Sequence, residues 1–153
     1  MIASRLKHFF RNAQFVDIAT CDKQCRPYAA PKFLLKVEGD KIYLADYVFG
    51  KTWRNLQENP FVSLTILDYD SLIGYQFNGE VGLLIEGDDY DALKKELQIR
   101  KMKSSVERVI KSVREEKLRH NFELIFPDKT GILIVTVKEI VDIGPTGKLT
   151  RDK

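Results

Sequence analysis

Two cysteines, two histidines, one tryptophan and no long apolar run set the first limits on this 153-residue chain. Cys21 and Cys25 are spaced C-x₃-C, which is not a redox C-x-x-C and makes a poor zinc site without further Cys or His partners. They read as free thiols, and no metal site is expected. His8 and His120 each fall inside a helical stretch or at its end and read as surface or capping residues. That leaves no obvious general base for a hydrolase. The G-x-S-x-G elbow, the Walker loop, G-x-G-x-x-G and H-E-x-x-H are all missing. No segment approaches the ~20 apolar residues of a membrane span. The N-terminus has neither the apolar region nor the small-residue cleavage site of a secretory signal, so a cytoplasmic protein is expected. A net charge of +3 is too small to argue for nucleic acid.

What is present suits one domain over residues 1–153. Runs rich in β-branched and aromatic residues predict strands at Phe15 to Cys21, Arg26 to Val37, Lys41 to Ala45, Phe61 to Leu67, Ile73 to Glu86, Asn121 to Phe126 and Gly131 to Ile143. Asp22 to Cys25 is a polar turn, and Glu38-Gly39-Asp40 is the clearest hairpin turn. Pro27 and Pro31 mark an irregular or edge position, and Gly74, Gly79 and Gly82 mark a bend or a close backbone approach. Ser4 to Gln14 has helical spacing of Leu6, Phe9 and Phe10. A helical block over 89–120 interrupts the strands. Acidic residues open its first helix, Asp89 to Met102, and the capping box Ser104-x-x-Glu107 opens a second. The basic residues around the second helix's apolar stripe read as its solvated face, because no aromatics interleave with them for stacking on bases. The tail from Gly144 is polar and reads as loosely held. Hairpin-linked strands with helices inserted as a block predict an α+β, mainly β fold: an antiparallel barrel with flanking helices.

One stretch stands out chemically. Gly50-Lys51-Thr52 opens a short helix between two strands, and Asn59-Pro60 ends it, since a residue before proline is pushed out of helical geometry. Thr52 can cap the first turn. Unpaired N–H groups, the helix dipole, an ammonium and a hydroxyl converge there, which is how a phosphate is held. A bound cofactor carrying its own chemistry would explain why general bases are scarce.

The ordered series Arg26-Pro27-x-x-x-Pro31, Gly39 to Asp46, Gly50-Lys51-Thr52-x-x-Asn55-Leu56-x-x-Asn59-Pro60, Val62 to Leu67 and Gly74-Tyr75-Gln76-Phe77-x-Gly79 resembles the FMN-binding split barrel of the pyridoxamine 5′-phosphate oxidase-like family. The resemblance covers about Phe15 to Glu86. It implies a six-stranded split β-barrel, a homodimer with FMN near the subunit interface, and hydride transfer between a small-molecule substrate or electron donor and flavin N5. Carried over, Lys51 and Thr52 hold the phosphate, and Asn55 braces that loop or reaches the phosphate. Ala30, Pro31, Lys32 and Phe33 run beside the ring, with Lys32 as a positive charge near it. Ala45 and Asp46 border the ring and ribityl chain, and Gln76 lies near the cofactor.

Each residue also has a purely structural use. Pro31 can shape an edge strand, Phe33 and Ala45 can be core, Lys32 can be a solvated strand charge and Asp46 a turn residue. Trp53 is assigned to packing. No side chain is assigned as catalytic. Two departures from the family pattern stand out: Cys25 holds a turn position usually given to glycine, and the chain ends without the Arg- and His-rich segment that grips pyridoxamine phosphate, so that substrate is not assigned. The alternatives are a non-catalytic carrier or sensor on the same scaffold, holding FMN, a deazaflavin or haem, and an interaction protein that uses the basic helix Ser104 to Arg119 to bind a partner or nucleic acid.

Overall fold

Alternating burial decides the architecture. In β1 (Phe15–Cys21) Val16, Ile18 and Thr20 are buried, while Phe15, Asp17 and Ala19 face outward. The alternation recurs in β4 (Phe61–Asp68) and in the middle of β5 (Ile73–Leu84), whereas β2 (Pro27–Glu38), β3 (Lys41–Asp46) and β6 (Gly131–Asp142) each carry a run of consecutive buried residues where both of their faces are covered. A computed structural model describes residues 6, 9–11, 13–114, 129–144 and 150–152. In it the six strands pair in the order β3-β2-β1-β4-β5-β6, and β6 returns to β3 to close an antiparallel barrel. This is the α+β, mainly β antiparallel barrel expected from the strand pattern, and the six-stranded split barrel that the family resemblance implies. Its interior is filled by Ile18, Leu34, Ile42, Leu44, Leu64, Phe77, Leu133 and Val135, with Leu6 and Phe10 from the N-terminal helical residues. His8, His120 and the strand expected at Asn121 to Phe126 lie outside the described residues.

Closure is incomplete at one place that matters below. β2 pairs with β1 along its whole first half, Pro27 to Phe33, but meets β3 only from Phe33 onward. Among the described residues no strand covers the other edge of Pro27 to Lys32. Proline at position 31 suits such an edge.

Two helices dress the barrel. α1 (Lys51–Glu58) links β3 to β4. Trp53 seats it by packing edge-on against Phe49 and lying directly over Gly131, where a Cβ would overlap the indole ring. α2 (Asp88–Arg114) runs as one helix of 27 residues. The break expected before Ser104 is absent. No glycine or proline interrupts 89–114, so the capping-box residues lie inside a helix that propagates past them. The first half of α2 is anchored by Tyr90, Leu93 and Leu97 on the outer-face cluster Phe33, Leu35, Ala45 and Ile132. Arg100 holds it further along. Its Nη1 donates to the carbonyls of Leu34 and Leu35, where a register shift between β2 and β3 leaves the ladder irregular. No helix of the described residues is long and apolar enough to cross a membrane.

Two local features depart from the sequence reading. The tail is not wholly loose: β7 (Thr150–Asp152) pairs with Ile140–Asp142 of β6, beyond the point where β3 stops covering that strand. In β5, Gly79 follows a bulge and sits against the Thr136 carbonyl, where any side chain would overlap backbone. That is the close approach its glycines suggested.

The turn between β1 and β2 carries Cys25 at φ 58, in the left-handed region that costs an L-residue roughly 1–2 kcal/mol. Replacing Cys25 with glycine is therefore expected to stabilise the fold by about 0.5–1 kcal/mol, once the greater freedom of glycine in the unfolded chain is counted. A urea titration showing no gain, or a loss, would refute this.

Candidate functional site

The polar residues gather where α1 meets the open edge of β2. Gly50 is the N-cap of α1, and it makes no side-chain cap bond. This corrects the expectation that Thr52 caps the helix. Thr52 is the second helical residue, and as such its side chain turns onto the barrel, where it is 2% exposed. Its Oγ1 is buried and has no hydrogen-bond partner. Such a hydroxyl normally costs about 1–3 kcal/mol, so an orphan at a helix start points to an acceptor brought by something else. No acidic residue occupies the first turn of α1, so its dipole is uncompensated by sequence there. Lys51, half-exposed, opens the helix.

Asn55 ties α1 to the barrel wall. At 3% exposure its Nδ2 donates to Thr20 Oγ1 at 3.0 Å, and that hydroxyl donates on to the Tyr28 carbonyl at 3.4 Å. One chain of bonds thus ties α1 to β1 and β2.

Lys32 and Asp46 meet as an ion pair, with Nζ to Oδ1 at 2.9 Å. Asp46 is fully buried and Lys32 is 9% exposed. Lys32 is therefore not a solvated strand charge: β2's register turns it inward with Ala30, opposite Val16 and Ile18, toward the end of β3. Asp46 Oδ1 also accepts from the Val48 N–H at 3.3 Å, which fixes the loop leading to Gly50. The two segments expected to flank a ring are thus clamped together. Burial, and then the Asp46 charge, push the neighbouring Tyr47 hydroxyl well above its ordinary range.

The remaining candidates divide. Phe33 and Ala45 point their side chains into the cluster under α2, so only their backbone can meet a ligand. Ala30 is half-buried and Pro31 is exposed, both on the open edge. Gln76 lies on β5, where it pairs with Thr65 of β4, and its Nε2 donates to Asn78. Cavities of 340, 520 and 320 Å³ lie along the N-terminal segment, β4 and α2, and none is lined by Lys51, Thr52 or Asn55.

Sequence reasoning passed over Asp22 as a turn residue. Its Oδ1 accepts from the N–H groups of Gln24 and Arg26, each at 3.0 Å, and its Oδ2 accepts from Arg26 Nε at 2.8 Å. Lys51 Nζ lies 3.8 Å from the same Oδ2. The Arg26 backbone N–H, outweighing partial burial, and then the guanidinium hold the Asp22 carboxyl below its ordinary 3.8. The i, i+4 pairing of Asp22 with Arg26 across a turn was the one signal available. Among the described residues no group of His, Cys, Asp or Glu could hold a metal ion.

A family model described as Pyridoxamine 5'-phosphate oxidase matches residues 2–127. No curated protein matches the chain. Among solved structures, HupZ of Group A Streptococcus is 23% identical, with a TM-score of 0.69 over 95% of this chain and 96% of that one. A pyridoxamine 5'-phosphate oxidase-related, FMN binding protein from Nostoc punctiforme is 14% identical, with a TM-score of 0.65 over 99% and 90%. A heme binding protein from Mycobacterium smegmatis is 15% identical, with a TM-score of 0.62 over 95% of this chain and 55% of that one. At these identities the structural likenesses speak for the fold, and they agree with the barrel described above. The family model spans most of the sequence, including the open β2 edge and the α1 start, and on that match the chain belongs to the pyridoxamine 5'-phosphate oxidase family.

Proposed function

We propose that the chain binds FMN at the start of α1 and along the open edge of β2, and that it works as a flavin-dependent oxidoreductase on a small molecule. The observation that carries this reading is the buried, partnerless Thr52 hydroxyl beside Lys51 at a helix N-terminus whose first turn holds no acidic residue. Lys51, the Thr52 hydroxyl and the first-turn N–H groups would hold the phosphate. The uncovered backbone of Ala30 to Lys32 would meet the polar edge of the ring. Bound FMN would supply the two-electron chemistry that the side chains lack. The Lys32–Asp46 pair keeps the two ring-side segments in register and leaves the ring's surroundings close to neutral.

A homodimer belongs to the same proposal. The open edge of β2 leaves room for a second copy to complete the ring site. The Nostoc punctiforme relative is described as FMN binding, which supports the flavin. The Mycobacterium smegmatis relative is described as heme binding, which makes haem the second reading.

The test is a visible spectrum of the purified protein, followed by titration of apoprotein with FMN and, separately, with haemin. Saturable quenching of FMN fluorescence is expected, with a sedimentation mass of two chains. A Soret band without FMN binding would replace the first reading with the second. Failure to oxidise a reduced nicotinamide with FMN bound would reduce the oxidoreductase to a carrier.

A further inference from the structure

We propose that Arg26 is a second ligand of the phosphate, and that Asp22 is the built-in counter-ion that keeps Arg26 and Lys51 trained on one point. The inference rests on the FMN reading and adds residues to it. Its basis is that two cations from different elements approach a single oxygen. Arg26 follows the β1–β2 turn and Lys51 opens α1, yet both reach Asp22 Oδ2, at 2.8 and 3.8 Å. Cations that can share one carboxylate oxygen can share one phosphate group.

The division of labour within Asp22 supports a poised arrangement. Oδ1 is occupied by two backbone N–H groups that fix the turn, so the carboxylate is tethered, while Oδ2 carries only the two cations. The three charges sum to one positive charge at a helix start that already favours an anion. The Arg26 side chain is 68% exposed, so its guanidinium can turn to an arriving ligand without unfolding the turn. Asp22 would then stand beside a phosphate dianion, where it repels. Its carboxylate stabilises the empty site and opposes the filled one.

That opposition separates the proposal from a purely structural role. FMN and riboflavin, which share a ring but differ in the phosphate, are titrated against the full chain and its variants. Arg26→Gln is expected to weaken FMN roughly five- to tenfold, the discounted strength of an exposed charge-assisted bond, and to leave riboflavin unchanged. Asp22→Asn keeps an acceptor for the turn N–H groups but drops the charge. It is expected to tighten FMN about threefold while lowering the melting temperature, two movements that a scaffold residue would not combine. If Asp22→Asn weakens FMN in step with lost stability, the counter-ion role is overturned. If Arg26→Gln leaves FMN unchanged while the Lys51→Ala/Thr52→Ala variant weakens it, Arg26 is no ligand and the α1 phosphate site stands without it. If neither variant separates FMN from riboflavin, the phosphate assignment itself falls, and this inference falls with it.

Discussion

Replacing Lys51 and Thr52 together by alanine is expected to weaken FMN binding roughly 100-fold, with riboflavin affinity little changed. The magnitude follows from two contacts. Lys51 offers a charge-assisted bond at a helix start that no acidic residue neutralises from within the first turn. Thr52 offers a hydroxyl that the fold has buried without a partner, so its desolvation has already been suffered in the empty protein. Its bond to a phosphate oxygen therefore adds nearly its full strength to binding. A corollary has the opposite sign. Thr52→Val keeps the side-chain shape and removes the orphan, so the apoprotein should gain about 1 kcal/mol of stability while FMN binding falls. Paired measurements by denaturant titration and FMN fluorescence decide the matter. A Thr52→Val protein that is less stable would show that its hydroxyl is satisfied within the fold, and the argument for a ligand there would lose its main support.

Much of this arrangement was legible in the residues, for identifiable reasons. Strands announce themselves by alternation: Val16, Ile18 and Thr20 sit inward as their spacing requires. The α1 start was legible because glycine, lysine and threonine cluster between two strands and Asn59-Pro60 enforces a stop. Signals one residue long were misread. Thr52 and Ser104 both look like caps, yet Gly50 serves as the N-cap of α1, and α2 runs through Ser104 because nothing around it breaks a helix. Relations across strands were not legible at all. Lys32 and Asp46 are 14 residues apart, and whether they meet depends on where β2 begins to pair with β3. The Asp22 grouping joins a turn to a helix that begins 29 positions later, and hydrophobic periodicity carries no information about such a contact. Pro27 and Pro31 did mark an edge, but no local pattern could show that one side of β2 stays uncovered as far as Lys32 while the other pairs with β1.

The Lys32–Asp46 pair yields the largest expected effect on stability. Lys32→Met is expected to destabilise the protein by about 3–5 kcal/mol at neutral pH, because it leaves a fully buried carboxylate with only the Val48 N–H as a donor. In a chain of 153 residues that is a fall in melting temperature of roughly 10 °C or more. The double variant Lys32→Met/Asp46→Leu removes both charges and should recover most of the loss, since the attraction between two buried ions does little more than offset their desolvation. Stability is then not the reason for the pair, and the double variant shows what is. Asp46 Oδ1 bonds both Lys32 and the loop toward Gly50, so it links the open β2 edge to the start of α1 independently of the Asn55–Thr20–Tyr28 chain. With the pair gone the loop toward Gly50 loses its polar tie to Lys32, while the Asn55–Thr20–Tyr28 chain still bonds α1 to the edge at a different point. A double variant as stable as wild type should therefore still bind FMN about tenfold more weakly, the cost expected when a contact geometry is loosened without loss of a direct ligand. If it instead binds FMN with full strength, the ion pair is not what sets the site. If Lys32→Met alone melts with the wild-type protein, the pair is not buried as described, and both expectations fail.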